Sequence, residues 1–137
     1  MSQISTCKKE NKFGIGEKEF LELTKYIKKS KNLNLKCLSV HIGSQILDVK
    51  PYKNMLLALN KIIKKTNHSF EYIDLGGGMG IDYKNDKKIL DLKKYSQNIK
   101  RFIKNHDSKI IFEPGRSIVG NIGTLISRVT YFFYGLL

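Results

Sequence analysis

Four short apolar runs, each followed by glycine-containing punctuation, set the rhythm of the chain, and after three of them the apolar positions switch to helical spacing. The first run ends at Phe13-Gly14-Ile15, and residues 17–29 then place Phe20, Leu23 and Ile27 on one helical face. Glu17 and Glu19 fall in that helix's first turn, where the helix dipole favours acids. The second run, Cys37-Leu38-Ser39-Val40-His41-Ile42, leads through a loop to a helix predicted from about Pro51. Tyr52, Met55, Leu56, Leu59, Ile62 and Ile63 make its buried stripe. The third run, residues 70–75, meets Gly76-Gly77-Gly78-Met79-Gly80, and a helix begins near Asp91 with Leu92, Tyr95, Ile99, Phe102 and Ile103 turned inward. The fourth, Ile110-Ile111-Phe112, stops at Glu113-Pro114-Gly115-Arg116. Residues 122–133 break the rhythm: they alternate and are rich in β-branched and aromatic residues, which predicts an antiparallel strand.

Strand–helix alternation predicts the α/β class, because parallel strands need helical crossovers. Both a doubly wound sheet and part of a (β/α)8 barrel satisfy it, and both gather chemistry at the carboxyl ends of the strands. The unusual residues fall at those ends: His41 to Gln45, the glycine run, and Glu113 to Arg116. A full barrel takes about 250 residues. A chain of 137 residues therefore supplies a sheet that is open at its edges or incomplete.

Composition narrows the function classes. A hydrophobic content of 41% supports a real core. No apolar run approaches the roughly 20 residues of a membrane span, and the polar start lacks a secretory stretch, so the expected location is cytoplasmic with no membrane partner. Cys7 and Cys37 have no metal-binding or disulfide spacing, and no metal is expected. The net charge of +13 raises the question of nucleic acid. Only Arg101, Arg116 and Arg128 carry the bidentate fork, and the lysines lie on solvated helix faces, so none is expected.

The glycine run lets bare backbone approach an anion, although a flexible turn would use the same residues. Neither a dinucleotide fingerprint nor a P-loop fits it. His41 reads equally as a core histidine or, with Gly43 and Ser44 beside it, as a ring and a hydroxyl placed against a phosphate-bearing aromatic ligand. His68 and His106 read as surface residues. Glu113 and Arg116 flank a rigid turn, either as a surface ion pair or as a carboxylate for a protonated ring nitrogen and a guanidinium for a substrate carboxylate.

His41-Ile42-Gly43-Ser44-Gln45, Ile73-Asp74-Leu75-Gly76-Gly77-Gly78-Met79-Gly80-Ile81 and Phe112-Glu113-Pro114-Gly115-Arg116 resemble the motifs of diaminopimelate decarboxylases. These are fold-type III pyridoxal-phosphate enzymes with an alanine racemase-like barrel. Residues 4–15 resemble the segment preceding those motifs, with Cys7 where glycine is expected. The resemblance implies a partial (β/α)8 barrel, its C-terminal half, over residues 1–118, and the start of a C-terminal β domain over 119–137. It implies pyridoxal 5′-phosphate as cofactor, with His41 stacked on the ring, Ser44, Gly76, Gly77, Gly78 and Gly115 on the phosphate, Glu113 on the pyridinium nitrogen and Arg116 on the substrate. The implied reaction converts meso-2,6-diaminopimelate to L-lysine and CO2, in a homodimer. The lysine that holds the cofactor covalently, expected in a Tyr-x-x-Lys-Ala-Asn context, is absent, and residues 132–137 depart from the family. An internal fragment is therefore expected, inactive alone and in need of a complementing fragment. Related decarboxylases of ornithine, arginine or carboxynorspermidine, or a non-catalytic remnant, are the alternatives.

Overall fold

A computed structural model describes residues 14–132. The helices are α1 (Glu17–Lys29), α2 (Val49–Thr66), α3 (Leu92–Ile103) and the single turn α4 (Arg116–Val119). The strands are β1 (Cys37–Ser39), β2 (Tyr72–Asp74) and β3 (Lys109–Ile111), parallel and in the order β1-β2-β3. Helices α2 and α3 are the crossovers between successive strands. The α/β class with a parallel sheet is thus the observed one. Phe13, Cys7, Phe133 and most of the first predicted run lie outside the described residues.

The crossover helices start where side chains can take up their first amide groups. Asp48 accepts from the Lys50 amide at 3.0 Å and Asp91 from the Lys94 amide at 2.9 Å, each removing one orphan donor. Helix α2 ends at Asn67 with φ 45°, and Lys28 Nζ donates to the carbonyls of Thr66 and Asn67, binding α1 to the negative end of α2. Tyr52, Met55, Leu56 and Leu59 of α2 pack with Tyr95, Ile99 and Phe102 of α3 onto Leu38, Ile73 and Leu75. Full burial of side chains of this size stabilises by about 1.5–3 kcal/mol each. No helix among the described residues is long and apolar enough to cross a membrane.

Several expectations need correction. Leu23 is 44% exposed, and Thr24, 1% exposed, takes its place because its hydroxyl satisfies itself on the Phe20 carbonyl at 2.8 Å. Leu92 is also exposed, since the inward arc of α3 begins at Tyr95. The strand expected over 122–133 does not form in residues 122–132. A strand needs a neighbour for its backbone groups, none lies beside this segment among the described residues, and its apolar side chains are exposed. His68 and His106 are half-buried: one ring bonds the Leu35 carbonyl at 2.7 Å and the other Asn60 Oδ1 at 2.6 Å.

The core holds one imperfection. The Tyr95 hydroxyl is buried without a hydrogen-bonding partner among the described residues. Burial pushes its pKa up to about 12, against an ordinary value near 10. The folded state therefore keeps a proton that the unfolded chain releases: the associated stability is full below pH 10 and is lost as pH rises through 12. Tyr95→Phe is expected to raise stability by roughly 1 kcal/mol at neutral pH, by removing the orphan group. Urea midpoints at pH 8 and pH 11.5 check this, and the gain should widen at the higher pH.

Candidate functional site

The ladder pairs Cys37 with Tyr72 and Tyr72 with Lys109, and likewise Ser39 with Asp74 and Asp74 with Ile111. Side chains alternate across a sheet, so Leu38, Ile73 and Ile110 face the helices while these six share the opposite face. Pairing continues past the strands, with Glu113 N–H donating to the Gly76 carbonyl at 2.9 Å and Val40 N–H to the Asp74 carbonyl at 2.9 Å. Two residues beyond Ser39, Asp74 and Ile111, the same alternation brings His41, Gly76 and Glu113 abreast at the carboxyl end of the sheet.

Glycine is required there for contact between strand ends. A Cβ on Gly76 would lie 2.5 Å from the Val40 carbonyl oxygen and 2.9 Å from His41 Nδ1; one on Gly77 would lie 2.1 Å from the Glu113 oxygen, and one on Gly78 2.2 Å from the Gly43 oxygen. Gly76 and Gly78 also have φ of 63° and 83°, in the left-handed region. The loop's amides are partly spent inside the protein. Asp74 Oδ1 accepts from Gly76 N–H at 2.8 Å, and His41 Nδ1 lies 3.4 Å from the Gly77 nitrogen as its acceptor. Tyr52, fully buried, donates its hydroxyl to the Gly77 carbonyl at 3.1 Å. Burial and the neighbouring Tyr95 raise the Tyr52 pKa, so the phenol stays a donor.

Ser44 and Glu113 are exposed at this end, and the Gly115 backbone borders open space, an added Cβ meeting nothing within 4 Å. Arg116, the first residue of α4, donates from Nη1 to Gln45 Oε1 at 2.9 Å and lies 5.6 Å from the centre of the Tyr83 ring. The same Gln45 oxygen accepts from Ile81 N–H at 3.3 Å, and its Nε2 donates to the Ile81 carbonyl at 2.6 Å. Gln45 thus ties the first strand-end loop to the glycine loop and to the arginine, with its own φ at 60°. Asp74 and Gln45 lie within the strand-end motifs and Tyr52 in the buried stripe of α2, but no binding or positioning role follows from the sequence for any of the three. An aspartate two residues before a glycine is a turn signal that points to Asp74; the contacts of Tyr52 and Gln45 lie across the fold and have no local signal.

The donor set suits a flat aromatic ligand bearing a phosphate. An exposed hydroxyl, uncovered glycine backbone, an imidazole, a carboxylate and a guanidinium share one end of the sheet, and no side chain fills the space beside Gly115. Diaminopimelate decarboxylase of Helicobacter pylori is 44% identical over 131 residues, covering 93% of this chain and 32% of the relative. That of Neisseria meningitidis serogroup B is 40% identical over 135 residues, with 96% and 32% covered. The crystal structure of the Helicobacter pylori enzyme complexed with L-lysine superimposes with a TM-score of 0.76 at 39% identity, over 85% of this chain and 31% of that one. The chain spans about a third of the length of the relatives it matches. Residues 1–120 match the family described as pyridoxal-dependent decarboxylase, pyridoxal binding domain, and with the strand-end motifs inside that match the chain belongs to this family.

Proposed function

We propose that the chain is the cofactor-binding part of a diaminopimelate decarboxylase, acting on meso-2,6-diaminopimelate to give L-lysine and CO2. The observation that carries this reading is the meeting of His41, Gly76 and Glu113 at one strand-end level, with Arg116 clasped beside them. The three-stranded sheet is then an arc of a (β/α)8 barrel, its open face turned to the barrel interior. Residues 119–137 begin the β domain that follows, and the assembled enzyme is a cytoplasmic homodimer.

Ser44 and the backbone of Gly76, Gly77, Gly78 and Gly115 would hold the phosphate of pyridoxal 5′-phosphate. The amides of Gly78 and Gly115 are the natural donors, since those of Gly76 and Gly77 are directed to Asp74 and His41. His41 would lie against the ring face. Glu113 would hold a proton on the ring nitrogen, and Arg116 would read a substrate carboxylate through its fork. When bound, the cofactor supplies an electron-accepting ring for the pair left as CO2 departs.

Two measurements test the reading. Alone, the 137-residue chain lacks the lysine in its expected motif and should form no L-lysine above background with added cofactor. Substituted for the segment of the Helicobacter pylori enzyme that aligns with them, residues 14–118 should support decarboxylation within about tenfold of the parent. A stable, cofactor-loaded chimera without activity would overturn the proposal.

A further inference from the structure

Helices α2 and α3 run side by side, and a groove of about 580 Å³ lies between the first half of α2 and most of the length of α3. Lys50 and Lys53 line one wall and Lys94 and Arg101 the other, with carboxamides that include Asn54 and Gln97 and no acidic residue. Lys94 leans 3.1 Å from Asp91 in an exposed pair of little strength. Lys50, Lys53 and Arg101 meet no acidic partner among the described residues, whereas Lys36 and Lys65 elsewhere pair with Glu71 and Glu17. Facing cations repel each other unless an anion lies between them.

We infer that this groove is a binding site for a small anion carrying two or three phosphate groups, separate from the strand-end site. Its volume falls within the roughly 300–1,000 Å³ range of small-molecule sites. Lining positions 49–57 of α2 and 94–101 of α3 reach roughly 12 Å at the helical rise, which suits a short polyphosphate rather than a polymer. Lysines and an arginine supply point charge and a fork, while the carboxamides donate to the remaining oxygens.

Titration of the ¹⁵N-labelled full chain with inorganic tripolyphosphate tests the inference. Saturable one-site binding is expected, with amide shifts over residues 49–57 and 94–101. Lys53→Gln with Arg101→Gln should weaken it at least about tenfold, since each loses a charge-assisted contact. Asn54→Asp, which removes no cation, should weaken it as well. The charge-matched control on α1, Lys18→Gln with Lys25→Gln, should change it less than about twofold, because both lie outside the groove. Equal weakening in both double variants, shifts centred on Ser44 and Gly78, or a preference for a 20-nucleotide oligonucleotide would each overturn the site.

Discussion

Gly78→Ala is expected to destabilise the chain by about 3 kcal/mol, the sum of a left-handed backbone penalty and a steric one. The backbone term arises because φ is 83°. The steric term arises because the new methyl would sit 2.2 Å from the Gly43 carbonyl oxygen, a backbone atom that cannot rotate away. To make room the loops after β1 and β2 must part, and that strains the bonds between Ile46 N–H and the Gly78 carbonyl at 2.9 Å and between Gly80 N–H and the Ile46 carbonyl at 3.1 Å. Gly115→Ala is the contrast: with nothing within 4 Å and φ of −97°, it should alter stability by less than about 1 kcal/mol. Urea midpoints followed by helical circular dichroism measure both. Equal stability of the two variants would mean that the glycine loop is not a packing joint.

In the active chimera, Glu113→Gln should lower kcat about 100-fold with little change in KM, a loss typical of one preorganised electrostatic group. A carboxylate favours the protonated ring nitrogen through its charge, and an amide of the same shape cannot. Arg116→Lys should act on the other parameter. Lysine keeps the positive charge but loses the fork that spans Gln45 and a carboxylate, so KM should rise about tenfold with kcat less affected. If both variants match the parent, Glu113 and Arg116 form only a turn.

Much of this arrangement is legible in the residues, because its causes are local. Apolar runs broken by glycine locate the three strands within a few residues, and Pro51 and Asp91 fall in or beside the first turns of α2 and α3. Strand-end motifs are legible for the same reason. Other roles depend on distance in the fold. Tyr52 belongs to the stripe of α2 by periodicity, yet its hydroxyl meets a carbonyl 25 residues away. Leu23 and Thr24 exchange places because a threonine can satisfy itself on the preceding turn, an option that hydrophobicity does not register. The alternation over 122–133 meets the pattern of a strand, but pairing is a property of two segments, and a pattern describes one.

The Gln45 oxygen accepts from two donors, Arg116 Nη1 and the Ile81 amide. An amide oxygen has two lone pairs, and here each meets its own donor, so one side chain of the first strand-end loop carries both the arginine and the backbone of the glycine loop. A hydrophobic residue of similar size at position 45 would therefore strip an acceptor from two elements at once.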